Sequence, residues 1–350
     1  MKNTGKIYGI HLLNDISGSP LVFSMVLSDY VKQGGNVQLY TSKSKGFLSD
    51  IAGVQYHHLP YSWSPKKIVT LINFLYVQLY LFISLLVKLK KNDSVHVNTL
   101  LPFGALLAAK IRGVHTIQHM HEVSVKPASL FRFLCFVSEH CTREMIFVSH
   151  YLKTCFQFKK PIQRVIHNRL DTQFLAEVKK HGKVTPTGPF TVLMLCSLKE
   201  YKGVYVFTRL AVDFPNVRFR LMLNASEADI QEFIKNEKPS LNCEILSPTR
   251  NTHQVYQQAD LVLNLSLPNQ WIETFGMTIL EAKAYGIKVI APPVGGPAEI
   301  VSVPEDGWLI DSRDYNTLKL KMQELTANLS RLPFDVNAIS TLAFCFPIIF

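Results

Sequence analysis

Acidic residues are scarce in the first half of this 350-residue chain: residues 1–170 hold 7 Asp+Glu against 20 Lys+Arg, a balance of +13. Residues 171–350 hold 19 against 17, a balance of −2, so the formal net charge of +11 comes entirely from the first half. That half is expected to meet an anionic partner. Basic residues interleaved with aromatics in a nucleic-acid-binding pattern are missing, which points away from DNA and RNA and toward a membrane surface. No Asp-x-Asp occurs, so a carboxylate-held divalent metal has no visible ligands, and no metal is expected. The six cysteines (135, 141, 155, 196, 243 and 345) form no CxxC pair, which excludes a zinc ribbon and suits a reducing compartment. MKNTGKIYGIHLLND lacks the apolar core of a secretory signal, so a cytoplasmic protein is expected. Walker, G-x-S-x-G and zinc patterns are absent. HLLNDISGSP, after the first apolar run, is not the G-x-G-x-x-G of a nicotinamide dehydrogenase.

What is present describes a globular chain, 47% hydrophobic and 18% charged, long enough for two domains. Short strand-like runs alternate with longer helical ones: KIYGIHLL (6–13), NVQLYTS (36–42) and SVHVNTL (94–100) against residues 20–34 and 103–114. The alternation resumes after 190 with FTVLMLCSL (190–198), FRLMLNA (219–225), CEIL (243–246), DLVLNLS (260–266) and KVIAPP (288–293). Such alternation predicts parallel, doubly wound α/β sheets. The polar stretch 168–189 is the linker candidate, dividing a domain of residues 1–170 from one of 171–350. Two such domains facing one another would form a cleft at the carboxyl ends of their strands. KKIVTLINFLYVQLYLFISLLVKLKK (66–91) has no charge between Lys67 and Lys88, the length of a membrane span, yet a strand follows at once. A core-packed helix, an interfacial helix with lysines reaching lipid headgroups, and a span all remain open.

The chemistry concentrates in ETFGMTILEAKAYGIKV (273–289). A helix starting near Gly276 offers unpaired amides to a phosphate, and glycine there permits close approach. Glu281 can point back toward that helix start, where a carboxylate would grip ribose hydroxyls. Glu273 precedes the helix. By spacing alone, Glu281 as a solvent-facing helix residue and Glu273 as a favourable charge near a helix start fit equally. PPVGGPAEIV (292–301) adds a Gly-Gly pair after the next strand, with Glu299 following.

This whole segment resembles the donor-binding region of the retaining GT-B-fold glycosyltransferases called glycosyltransferase family 4. VHVNTLLPFGALLAAKIRG, IFVSHYLK and VIHNRLDTQFL resemble further segments of that family, so the resemblance runs to about residue 325. It implies a GT-B fold of two Rossmann-like domains and transfer of a sugar from a UDP- or GDP-linked donor to a glycan or lipid-linked acceptor. The setting it implies is polysaccharide synthesis, peripheral on the inner face of the cell membrane. No cofactor is implied beyond the donor itself.

The resemblance gives Glu281 the ribose and Glu273 the sugar, with Phe275, Gly276 and Thr274 beside them. Lys202 would neutralise the departing diphosphate, His121 would touch the sugar, with His119 as runner-up, and Gly18 would lie in a phosphate-proximal loop. Three departures stand out. Ser197 occupies the place of an expected arginine, with Lys199 as a substitute charge; ISGSP replaces Gly-Gly; and ISTLAFCFPIIF (339–350) replaces a long terminal helix. The departures keep open a second reading, a catalytically inactive GT-B-like binding subunit.

Overall fold

The computed structural model describes residues 5–61, 64, 66–182, 188–249 and 251–327. The tail at 339–350 lies outside them. The chain divides between His167 and Asn168 into two compact units.

Unit 1 runs β1 (Lys6–Ile10), α1 (Gly18–Lys32), β2 (Asn36–Ser42), β3 (Val54–Leu59), α2 (Lys67–Lys88), β4 (Ser94–Asn98), α3 (Phe103–Arg112), β5 (His115–Met120), α4 (Ala128–Cys141), β6 (Glu144–Phe147), α5 (His150–Thr154) and β7 (Ile162–Val165). Its seven strands pair in parallel in the order β3-β2-β1-β4-β5-β6-β7. Strands covered on both faces read as continuous apolar runs, which is why β1, β2 and β4 were plain in the sequence. The core gathers Tyr8, Ile10, Tyr40, Val95 and Val97 from the sheet with Val77, Leu81 and Leu85 of α2 and Leu106 of α3.

Unit 2 runs α6 (Thr172–His181), β8 (Thr191–Ser197), a single 3₁₀ turn (Glu200–Lys202), α7 (Val204–Asp213), β9 (Arg218–Asn224), α8 (Glu227–Glu237), β10 (Cys243–Leu246), α9 (His253–Gln257), β11 (Leu261–Leu263), α10 (Met277–Ala284), β12 (Lys288–Ala291), α11 (Pro297–Ile300), β13 (Gly307–Leu309) and α12 (Tyr315–Ala327). The sheet is again parallel, β10-β9-β8-β11-β12-β13. Phe207, Phe219, Leu221, Leu263 and Ile290 anchor its core. Within the stretch read as a linker, Asp171 caps α6 by accepting from the Gln173 N–H at 2.7 Å.

In each unit the strand order reverses direction beside the first strand, at β1/β4 and at β8/β11. Chains leaving two such neighbours go to opposite faces of the sheet. The gap this opens at the strands' carboxyl ends is where open α/β sheets bind ligands. Ser197–Gly203 follows β8, and the loop reaching Glu273 follows β11. In unit 1, His11 follows β1 and Asn98 ends β4.

Candidate functional site

In unit 2 the turn after β8 is tight. Lys199 N–H donates to the Ser197 carbonyl at 2.8 Å, and Gly203 N–H to that of Glu200 at 2.8 Å. Gly203 sits at φ +77, and a Cβ there would fall 2.2 Å from the Leu265 carbonyl oxygen, so only glycine fits. That approach, with Leu267 N–H donating to the Tyr201 carbonyl at 2.8 Å, ties the turn to the loop after β11.

The result is an ion pair between residues 71 apart in sequence: Lys202 Nζ donates to Glu273 Oε2 at 2.6 Å. The side chains are only 18% and 19% exposed. Burial opposes the charge on Lys202, but Glu273 outweighs it and the pKa lies above the ordinary lysine value. Tyr201 and Trp271 stack beside the pair, centroids 5.3 Å apart, with the ammonium 6.0 and 5.7 Å from the two rings.

Glu273 leads directly into α10. Gly276 adopts φ +107 ahead of the helix, no side chain caps the start of α10, and Ile279 N–H donates to the Gly276 carbonyl at 3.1 Å. Phe275 is buried beneath, and Thr274 is partly buried. The Gly295-Gly296 pair braces this segment. A Cβ on Gly295 would lie 2.3 Å from the Glu273 carbonyl oxygen, and one on Gly296 would lie 2.2 Å from Phe275 Cα. Gly296 N–H donates to that same Glu273 carbonyl at 2.9 Å. Both glycines are thus pressed against the chain's own backbone.

Along α10, Glu281 is reached from α9. Tyr256 Oη donates to Glu281 Oε2 at 2.7 Å. Burial raises the Glu281 pKa to about 7, and the tyrosine hydrogen bond only partly opposes it. Tyr256 is itself wholly buried and stacked on Tyr285, centroids 5.8 Å apart. Glu281 is therefore neither a freely solvated surface carboxylate nor a dead core residue. It is a held acceptor that changes charge near neutral pH.

Lys199 stands apart from this group. It is exposed and lines a cavity of about 470 Å³ with Asn224, Asp229 and Glu232, on the β9 side. Its ammonium makes no ion pair among the described residues. Ser197 ends β8 with its backbone carbonyl in the turn.

In unit 1, His121 follows β5 and hydrogen-bonds Asn98 at the end of β4. Asn98 Nδ2 donates to the Ser19 carbonyl at 3.1 Å and lies 3.0 Å from His11 Nδ1. A carbonyl only accepts, so the amide orientation is fixed by Ser19 and Asn98 Oδ1 must face His121 Nε2, 2.9 Å away. The network thus requires His121 protonated on Nε2 and His11 bare on Nδ1. Burial, then neighbouring His119, holds the His121 pKa well below the ordinary histidine value, and burial takes His11 down to about 4. Both rings are neutral at pH 7, with Nδ1 of His121 left as an acceptor. His119 is fully buried, its ring 4.4 Å from that of His121. Gly18 opens α1, and a Cβ there would meet nothing within 4 Å.

Tyr256, Trp271, Asn98 and His11 were not singled out from the sequence. Asn98, a polar residue ending the apolar run of β4, carried a usable signal. Tyr256 carried none, because its partner lies 25 residues away on another helix.

Residues 176–333, somewhat less than half of the chain, match the family model described as Glycosyl transferases group 1. A 74-residue stretch is 34% identical to sucrose-phosphate synthase of Spinacia oleracea, covering 21% of this chain but 7% of that protein. The curated relatives are thus matched over a small part of their length. Among solved structures, Anabaena HepE in complex with UDP and glucose superposes with a TM-score of 0.72 at 17% identity, over 96% of this chain and 97% of that one. Sucrose-phosphate synthase from Thermosynechococcus elongatus gives 0.76 at 16% identity, over 97% and 94%. The pneumococcal O-GlcNAc transferase GtfA, in complex with UDP and GlcNAc, gives 0.70 at 11% identity, over 97% and 96%. At these identities the likeness shows the fold, which is GT-B: two parallel-sheet α/β units.

Proposed function

We propose that this chain is a retaining glycosyltransferase of the family 4 type. It would move a sugar from a UDP- or GDP-linked donor to a hydroxyl of a glycan or lipid-linked acceptor in polysaccharide synthesis. The observation that carries the reading is the pairing of Lys202 with Glu273 across the β8/β11 switch point, directly before the start of α10, which no side chain caps. The match of residues 176–333 and the solved neighbours holding UDP support it.

In this reading the nucleotide ribose bonds to Glu281, held by Tyr256. The diphosphate lies against Lys202 and the first amides of α10, and Glu273 contacts the sugar. As the acceptor oxygen bonds to the anomeric carbon, the bond from that carbon to the diphosphate breaks, the leaving group takes the electron pair, and the acceptor's hydroxyl proton passes to the departing diphosphate oxygen. The growing negative charge is met by an ammonium and helix dipoles already in position, so no metal is called for. His121, neutral with a free Nδ1, is suited to accept a hydrogen bond from a sugar hydroxyl.

The test is release of nucleotide from UDP-, GDP- and ADP-sugars, with the product anomer read by NMR. One donor should be consumed by the wild type with its anomeric configuration kept. Lys202→Met should cut that rate by about 10²–10³. If a nucleotide binds yet no donor is consumed with any acceptor, the inactive binding subunit is the better reading.

A further inference from the structure

Among the described residues, helix α2 carries half of the large exposed apolar side chains. One side, with Phe74, Val77, Leu81 and Leu85, packs into the unit 1 core. The other carries Ile68, Ile72, Leu75, Leu79 and Ile83, each more than half exposed, and Val87 at 79%. These recur every three to four residues, so they form one stripe along a helix of 22 residues, about 33 Å long. Phe133 and Phe136 also stand exposed on α4, with Phe133 edge-on to Phe103 of α3 at 5.0 Å. An apolar face of this extent on a soluble unit marks a docking surface.

Charge decides what docks. Lys66 precedes the stripe, Lys90 and Lys91 follow it, and Lys110 and Arg132 are exposed on α3 and α4. Neither α2 nor α3 contains an acidic residue, and Glu139, the acid of α4, is engaged by the backbone amides of Lys159 and Lys160. A second copy meeting this face in a two-fold dimer would bring like charges together. An anionic lipid surface offers the opposite charge at the rim and hydrocarbon at the centre.

The helix is also anchored against crossing. Gly104 N–H donates to Gln78 Oε1 at 2.9 Å, and a Cβ on Gly104 would strike the Gln78 carbonyl oxygen at 2.1 Å, so α2 and α3 are in backbone contact. Arg112 closes the far end by donating to the Leu89 carbonyl at 2.7 Å. Spanning would require α2 to leave this packing and its buried side to leave the core.

We infer that the exposed stripe of α2, with Phe133 and Phe136 of α4 and the lysines around it, lies in the surface of an anionic bilayer as an interfacial helix. Attachment there would put unit 1 on the membrane, where lipid-linked hydroxyls are found. The inference rests on the α2 face and not on the transfer chemistry.

The experiment is flotation of the full chain with vesicles of phosphatidylcholine, pure or carrying a third phosphatidylglycerol, read without any activity. The wild type should float with the anionic vesicles. Binding should fall at least about tenfold on neutral vesicles, in high salt, in Lys90→Glu/Lys91→Glu, and in Ile72→Glu/Leu79→Glu. The last changes exposed positions, so an unchanged melting temperature certifies its fold; the lysine pair tests the same face without touching the helix. Absence of flotation with the anionic vesicles, or flotation of both variants undiminished from the wild type, would overturn the inference. Resistance to alkaline extraction, which means a span, or a lipid-free dimer that Ile72→Glu/Leu79→Glu dissolves, which means a second copy, would also overturn it.

Discussion

Glu273 holds Lys202 in the free protein, and that has a consequence for turnover. An arriving diphosphate must share an ammonium that already has a carboxylate 2.6 Å away. In the proposed reaction, removing the carboxylate's charge would release the lysine to the anion and take away the group assigned to the sugar. Glu273→Gln should therefore bind free nucleoside diphosphate several-fold more tightly while its turnover drops by about 10² or more. Calorimetric titration beside a turnover assay reads both. A fall in affinity and rate together would mean that Glu273 acts by holding Lys202 in place. Much at this scale was legible. Glu273, Gly276 and Glu281 lie within nine consecutive residues, and helix start, glycine and carboxylate spacing are local properties. Tyr256 and Asn98 were not, because what they do depends on partners brought from other elements.

At the scale of elements, two kinds of glycine separate. Gly296 is pressed against the Phe275 backbone, so Gly296→Ala must move the segment that carries Glu273. It should cost about 1–3 kcal/mol of stability, a drop of several degrees in melting temperature, and most of the nucleotide affinity. Gly18, whose Cβ would meet nothing, should leave the melting temperature unchanged when replaced by alanine. Thermal scans of both variants check this, and a stable Gly296→Ala would contradict the bracing role. The apolar runs of β1, β8 and β12 declared themselves because burial on both faces removes polar residues. By contrast, β3 (VQYHHL), half-exposed with two histidines, did not. Helix α6 passed for a linker because its sequence is mostly polar and only Leu175 and Val178 are buried. Helix α2 left three readings open because its hydropathy is uniform, while its environment is divided between core and stripe.

Over the whole molecule, the two units repeat one strand order with different burdens of charge. The basic unit carries the apolar stripe and a network of neutral histidines; the nearly balanced unit carries Lys202, Glu273 and Glu281. The central claim is that unit 2 holds a nucleoside diphosphate through Glu281. An ionised carboxylate accepts both ribose hydroxyls, whereas its protonated form gives up one acceptor site. With a pKa raised to about 7 by burial, Glu281 is mostly protonated at pH 6 and mostly ionised at pH 8. Affinity should therefore rise with pH across this window. The nucleotide's own phosphate titrates equally for every variant, so Glu281→Gln removes only the protein's part. The decisive measurement is calorimetric titration of UDP and GDP into wild type and Glu281→Gln at pH 6 and pH 8. The account predicts that one nucleotide binds the wild type, more tightly at pH 8. It also predicts that Glu281→Gln binds at least about tenfold more weakly with the excess pH dependence gone. Equal binding and equal pH dependence in the two proteins, or no binding of either nucleotide, would contradict it.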